Sequence, residues 1–191
     1  MKMKSILFFA VLGIMKAQSV SIPADTAIVT FHTTQIKNTK VDYSATTGTQ
    51  PVWDDDGKTI AAVHYTYYER KNINKRTNRP IVISFNGGPG SGSVWMHLAY
   101  TGPMILKVDD EGFPVQPYGV KKNPYSILDV ADIVFVNPVN TGYSRIVDKK
   151  VKKNTFFGVN ADIKYLAEWI NTFIQRVNRW ESPKYLIGES Y

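Results

Sequence analysis

The chain has no cysteine among its 191 residues. Without a thiol there can be no disulfide framework, no thiolate metal site and no cysteine nucleophile. Histidine is scarce too: His32, His64 and His97 are the whole complement, and all lie well before the C-terminal end. Long apolar runs are missing as well. The one at residues 5–14 sits behind Met1-Lys2-Met3-Lys4 and falls short of the ~20 residues that a bilayer-spanning helix needs. Its basic start and short apolar stretch read instead as a secretory signal over residues 1–17, with Ala17 the last leader residue and Gln18 the first of the mature chain. The expectation is an exported protein, periplasmic or extracellular, with no stable membrane association once the leader is removed. A strong charge bias is also lacking. The formal charge is +7, and removing Lys2, Lys4 and Lys16 with the leader leaves +4. Lysine and arginine are scattered apart from short runs such as Arg70-Lys71 and Lys75-Arg76, and no nucleic-acid reading module is present, so nucleic acid is not an expected partner.

What is present is an apolar content of 43%, enough for one core and one domain over residues 18–191. Residues 27–32 and 40–44 alternate as half-buried strands do. Asp54-Asp55-Asp56-Gly57 lacks the alternate acids and closing glutamate of a calcium loop and reads as a hairpin turn before a returning strand at 58–69. Residues 71–79 are polar and turn-like. Residues 80–85 form a buried-strand pattern that opens into the glycine-rich Asn86-Gly87-Gly88-Pro89-Gly90-Ser91-Gly92-Ser93. A short helix follows at 93–100, stopped by Gly102-Pro103. The near-continuous apolar run at 131–136 fits a parallel strand covered on both faces. A long helix is expected to start between Asn154 and Asn160, either of which could cap it, with Ile163, Leu166, Ala167, Ile170, Phe173, Ile174 and Val177 on one face. Residues 184–187 then read as a short buried strand leading to Gly188-Glu189-Ser190. Hairpin, strand, helix, strand, helix, strand, serine is the order of an α/β fold of the α/β-hydrolase kind, in its N-terminal part.

Gly188-Glu189-Ser190 is the first half of the G-x-S-x-G elbow, in which a strained strand-to-helix turn lifts a serine hydroxyl clear of a sheet. Alone it fits any turn serine. The glycine loop after the strand at 80–85 supplies bare backbone N–H groups, and such a loop forms an oxyanion hole together with the N–H after the nucleophile. Asn86-Gly87-Gly88-Pro89-Gly90, Gly102-Pro103, Asn123-Pro124-Tyr125-Ser126, Pro138-Val139-Asn140-Thr141-Gly142-Tyr143-Ser144 and Gly188-Glu189-Ser190-Tyr191, in this order, resemble the serine carboxypeptidase family. The resemblance runs from about Ile81 to the C-terminus and covers the N-terminal portion of a family domain. The absence of cysteine makes the chain look like a bacterial relative.

The resemblance implies that Ser190 is the nucleophile and that the N–H groups of Gly88 and Tyr191 bind the oxyanion. It implies that Asn86, Gly87 and Glu189 hold the C-terminal carboxylate of the substrate, with Glu189 sharing a proton and favouring acidic conditions. The reaction would be hydrolysis of a C-terminal peptide bond through a Ser190 acyl-enzyme, with peptide or protein C-termini as substrates and no metal or organic cofactor. Three places depart from the family pattern. Tyr100 stands where the family usually has a glutamate, Ser91-Gly92-Ser93 replaces a cysteine and serines, and Asn137 stands where an acid is often found.

On this fold the triad runs Ser, then Asp or Glu, then His. Only Tyr191 follows Ser190, and His64 and His97 read as packing or hydrogen-bonding groups, so the chain alone is expected to be inactive. Other readings stay open: a truncated non-catalytic fragment, an exported binding module, or an acyltransferase or lyase on the same scaffold. A nucleotide loop is disfavoured, because Gly-x-Gly-x-x-Gly is broken at Ser93, Asp109 sits in a turn and no Gly-Lys-Ser/Thr occurs.

Overall fold

The structure, a computed structural model, describes residues 22–190. The expected leader at 1–17 and the expected oxyanion donor Tyr191 lie outside them. Three long antiparallel strands come first: β1 (Thr26–Ile36), β2 (Thr39–Trp53) and β3 (Thr59–Arg70). The acidic turn between β2 and β3 is a hairpin as expected. Asp54 N–H donates to Lys58 O (2.9 Å), the Asp54 carboxylate accepts from Lys58 N–H (2.8 Å), and Gly57 takes φ +77°. An aspartate therefore caps its own turn here.

After a polar crossing come β4 (Ile81–Asn86), a small separate hairpin of β5 (Met104–Leu106) and β6 (Val120–Lys122), then β7 (Asp132–Val136) and β8 (Arg145–Ile146). Helix α1 (Val159–Arg176) and β9 (Lys184–Glu189) complete the chain. The main sheet has the order β1-β2-β3-β7-β4-β9, with β8 beside β3. β7, β4 and β9 run parallel, and β3 meets β7 antiparallel. A parallel pair needs a crossover, and α1 supplies the one into β9.

Side chains divide between the two faces with period two. Ile81, Ile83, Val134 and Val136 face α1, whereas Val82, Ile133 and Phe135 face the segment carrying Met96. All five residues of β7 are buried, as the apolar run predicted. Trp169 and Phe173 stack at 5.2 Å, and Tyr65 meets both edge-on. Each large side chain buried this way contributes about 1.5–3 kcal/mol.

Three expectations need correction. The face of α1 against the sheet includes the expected Phe173 and Ile174, with Leu166, Ile170 and Val177 packed beside them, but it is centred on Tyr165 and Trp169, while Ile163 and Ala167 are exposed. The buried face is thus broader and more aromatic than an aliphatic stripe suggests. Neither Asn154 nor Asn160 caps it: Gly158 is the N-cap, at φ +131°, a backbone conformation that an asparagine with its β-carbon rarely adopts. Finally, β9 is not buried. It is an edge strand, with Tyr185 and Leu186 exposed, because among the described residues it has β4 on one side only.

The lower ends of β4 and β7 are tied by a buried ionic group. Asp132 accepts from Arg79 Nε (2.7 Å), from Arg70 N–H (2.9 Å) and from Arg179 Nη1. Arg179, itself buried, also donates to Tyr67 OH (3.0 Å), Ser182 Oγ (2.7 Å) and Arg79 O (2.7 Å). Every strong donor here has an acceptor, which a buried charge requires.

Candidate active site

Asn86 closes β4 and Glu189 closes β9, and the two are paired in register. The glycine loop and Ser190 thus leave the sheet side by side, at the carboxyl ends of parallel strands, where open α/β sheets bind ligands. Ser190 has φ +61°. A residue with a β-carbon in left-handed backbone costs ~1–2 kcal/mol, so the turn is strained. Glu189 and Ser190 are both exposed.

Asn86 is buried and bonded through both its side chain and its backbone. Its amide oxygen accepts from Met96 N–H (3.0 Å), which aims its amide nitrogen at the Glu189 carboxylate (3.1 Å). Its backbone N–H donates to Ser93 Oγ (3.2 Å). Gly87 is buried, and its carbonyl accepts from Ser91 N–H (3.2 Å). Gly88 takes φ +135°, and a β-carbon there would stand 2.9 Å from Gly90 N and 3.0 Å from Ser91 N. That space belongs to backbone amides, so this position admits glycine alone.

The far end of the loop is pinned by Ser93 and Asn137, which in the sequence stand out only as departures from the family pattern. Ser93 N–H donates to Asn137 Oδ1 (2.8 Å), and Ser93 Oγ donates to Val136 O. Asn137 Nδ2 lies 2.8 Å from His64 Nδ1. The sequence carries one trace of this arrangement in Gly142, at φ +48°, where a β-carbon would come within 2.9 Å of Asn137 Cγ. A cleft of ≈ 250 Å³ runs from the loop to the first turns of α1, lined by Phe85, Asn86, Gly87, Pro138, Ile163 and Leu166 among others.

No histidine reaches Ser190 among the described hydrogen bonds. His32 sits on β1, at the opposite edge of the sheet. His64 is engaged with Asn137, and burial lowers its pKa below the ordinary 6.5. His97 stacks on Phe135 at 4.4 Å and shares a hydrogen bond with Tyr68 OH (2.7 Å), and burial pushes its pKa down to about 4. Tyr100, at the departed acid position, is exposed, and Asn86 is the side chain that meets Glu189.

The family model for serine carboxypeptidases matches residues 37–191. The chain belongs to the serine carboxypeptidase family. It is 28% identical over 130 residues to serine carboxypeptidase-like 8 of Arabidopsis thaliana, covering 68% of this chain and 29% of that protein. It is 30% identical over 131 residues to the lysosomal protective protein of Mus musculus, covering 67% of this chain and 25% of that one. The crystal structure of a prohormone-processing carboxypeptidase from Saccharomyces cerevisiae superposes with a TM-score of 0.55 at 24% identity, over 79% of this chain and 31% of that chain. The fold is that of the α/β-hydrolases. The chain spans less than a third of the length of each of these relatives. All three are eukaryotic, so they lend no support to the expected bacterial relationship. Among the described residues no helix is long and apolar enough to cross a membrane.

Proposed function

We propose that the chain carries the nucleophile and oxyanion loop of a serine-type carboxypeptidase that releases C-terminal residues from exported or lumenal peptides. The observation that carries this reading is the pairing of Asn86 with Glu189, which sets the strained Ser190 beside the glycine loop on adjacent parallel strands. Ser190 attacks the scissile carbonyl, and the bare N–H of Gly88, with that of Tyr191, receives the oxyanion. Asn86, Gly87 and Glu189 take the free carboxylate of the peptide, which selects C-termini over internal bonds. His32, His64 and His97 have other partners and do not serve as the base. Neither metal nor organic cofactor enters this chemistry, and the residues at 1–17 direct export.

The test is made on the native gene product. A fluorophosphonate probe is expected to label Ser190, and an N-blocked dipeptide to lose its C-terminal residue. Ser190→Ala should remove both signals; unchanged peptide hydrolysis in that variant would overturn the reading.

A further inference from the structure

We propose that Asn137 and His64 position the glycine loop, and that protonation of His64 releases it. Asn137 is the hinge of a continuous hydrogen-bonded path. His64 Nδ1 meets Asn137 Nδ2 (2.8 Å), Asn137 Oδ1 accepts from Ser93 N–H (2.8 Å), Ser93 Oγ accepts from Asn86 N–H (3.2 Å), and Asn86 Nδ2 donates to Glu189 (3.1 Å). The path therefore runs from β3 through the loop to the residue beside Ser190. The inference rests on the reading of that loop as an oxyanion site.

The backbone settles the proton positions. Ser93 N–H can only donate, so the Asn137 oxygen must face it. The Asn137 amide nitrogen, a donor, must then face His64 Nδ1, which has to accept. Hence His64 is neutral and carries its proton on Nε2. A proton added at Nδ1 would set two donors face to face, Nδ1–H and Asn137 Nδ2. Asn137 relieves this only by turning its oxygen toward His64, and its nitrogen then opposes Ser93 N–H. One proton on His64 thus leaves Asn137 unable to serve both His64 and Ser93, and the loop loses its anchor when the amide turns toward the charged ring.

The surroundings agree. From β2 the register partner of His64 is Thr49, from the end of β7 it is Asn137, and the Tyr143 ring packs edge-on at 5.2 Å. Ser144 Oγ accepts from His64 N–H (2.7 Å) and donates to Asn137 O (2.6 Å), so the backbones of the pair are locked together. Besides Tyr143, the titratable group coupled to His64 is His97, whose own protonation a charged His64 disfavours. No carboxylate is found in contact with His64 among the described residues, and burial works against its charge. With aspartate at position 137 the sign reverses, since a carboxylate accepts from both Ser93 N–H and a charged His64.

The experiment is a ¹⁵N NMR titration of the protein, which reads the imidazole nitrogens and the Ser93 amide without substrate. In the wild type, His64 should be the Nε2–H tautomer at neutral pH, with a midpoint below 6.5, and the Ser93 amide should shift with that same midpoint. His64→Gln should abolish the Ser93 transition, and Asn137→Asp should move the His64 midpoint above 6.5. An Nδ1–H tautomer, or a Ser93 amide that stays flat through the His64 midpoint, would overturn the proposal; both readings come from the unmutated protein. Coupled titration without fluorophosphonate labelling would defeat the carboxypeptidase reading and leave this one standing.

Discussion

The two ends of the parallel strands are built from opposite materials. At the lower end Asp132, Arg79 and Arg179 are buried and bonded to one another and to nearby carbonyls. At the upper end Gly88 and Ser190 hold positive φ, Glu189 is exposed, and the loop offers backbone amides. The lower end exhausts its polar groups on itself and fixes strand positions. The upper end keeps polar groups available and is held indirectly, through Asn86, Ser93 and Asn137. Rigidity and reactivity are thus separated along the same strands.

The sharpest way to break this contrast is Asp132→Ala, which strands two buried guanidinium groups. We expect a loss of about 3–5 kcal/mol in urea unfolding, with the upper end failing only because the whole sheet does. Next comes acid. His97 has a folded pKa of about 4 against an ordinary 6.5, so below 6.5 the unfolded chain binds the proton more readily. Stability is complete above 6.5 and falls as pH drops toward 4, by on the order of 3 kcal/mol. In His97→Gln, which keeps a partner for Tyr68 OH, the acid limb of the unfolding profile should flatten.

Gly142→Ala sharpens the comparison at the upper end. It forces a β-carbon onto Asn137 and into positive φ, and should cost about 1–2 kcal/mol in thermal unfolding. Ser190→Gly should act in the opposite direction, gaining about 1 kcal/mol by relieving the left-handed turn while removing the hydroxyl. Leu186→Ser, on the exposed face of β9, should change stability by no more than about 0.5 kcal/mol, and a larger loss would show that this face is covered in solution.

Much of this contrast was legible in the sequence, and unevenly so. The apolar runs of β4 and β7, the Asp54–Gly57 turn and the pairing of a glycine loop with Ser190 all leave local patterns, because period, turn chemistry and motif act over a few residues. The Asp132 group left none. Its members lie 47 and 53 positions apart, and in sequence each is an ordinary charged residue. Tyr165 and Trp169 escaped because the aliphatic residues beside them formed a stripe of their own, whose first members, Ile163 and Leu166, proved to border the cleft. The exposure of β9 was equally hidden, since an apolar run says which residues avoid water but not what stands over them. Asn137 was noticed only as a departure from a pattern, and its service to Ser93 became visible when β7 was placed beside β4.

The pairing of β9 with β4 also sets an order of events. Asn86 and Glu189 are 103 positions apart, whereas β2 and β3 meet across a tight turn. Closing so long a loop is entropically costly, and non-local parallel pairing is slow. The strand that carries the serine is therefore expected to dock last, onto a sheet that the hairpins have already built. In native-state hydrogen exchange its amides should open first, so that the reactive corner is the last part of the molecule to form and the first to be given up.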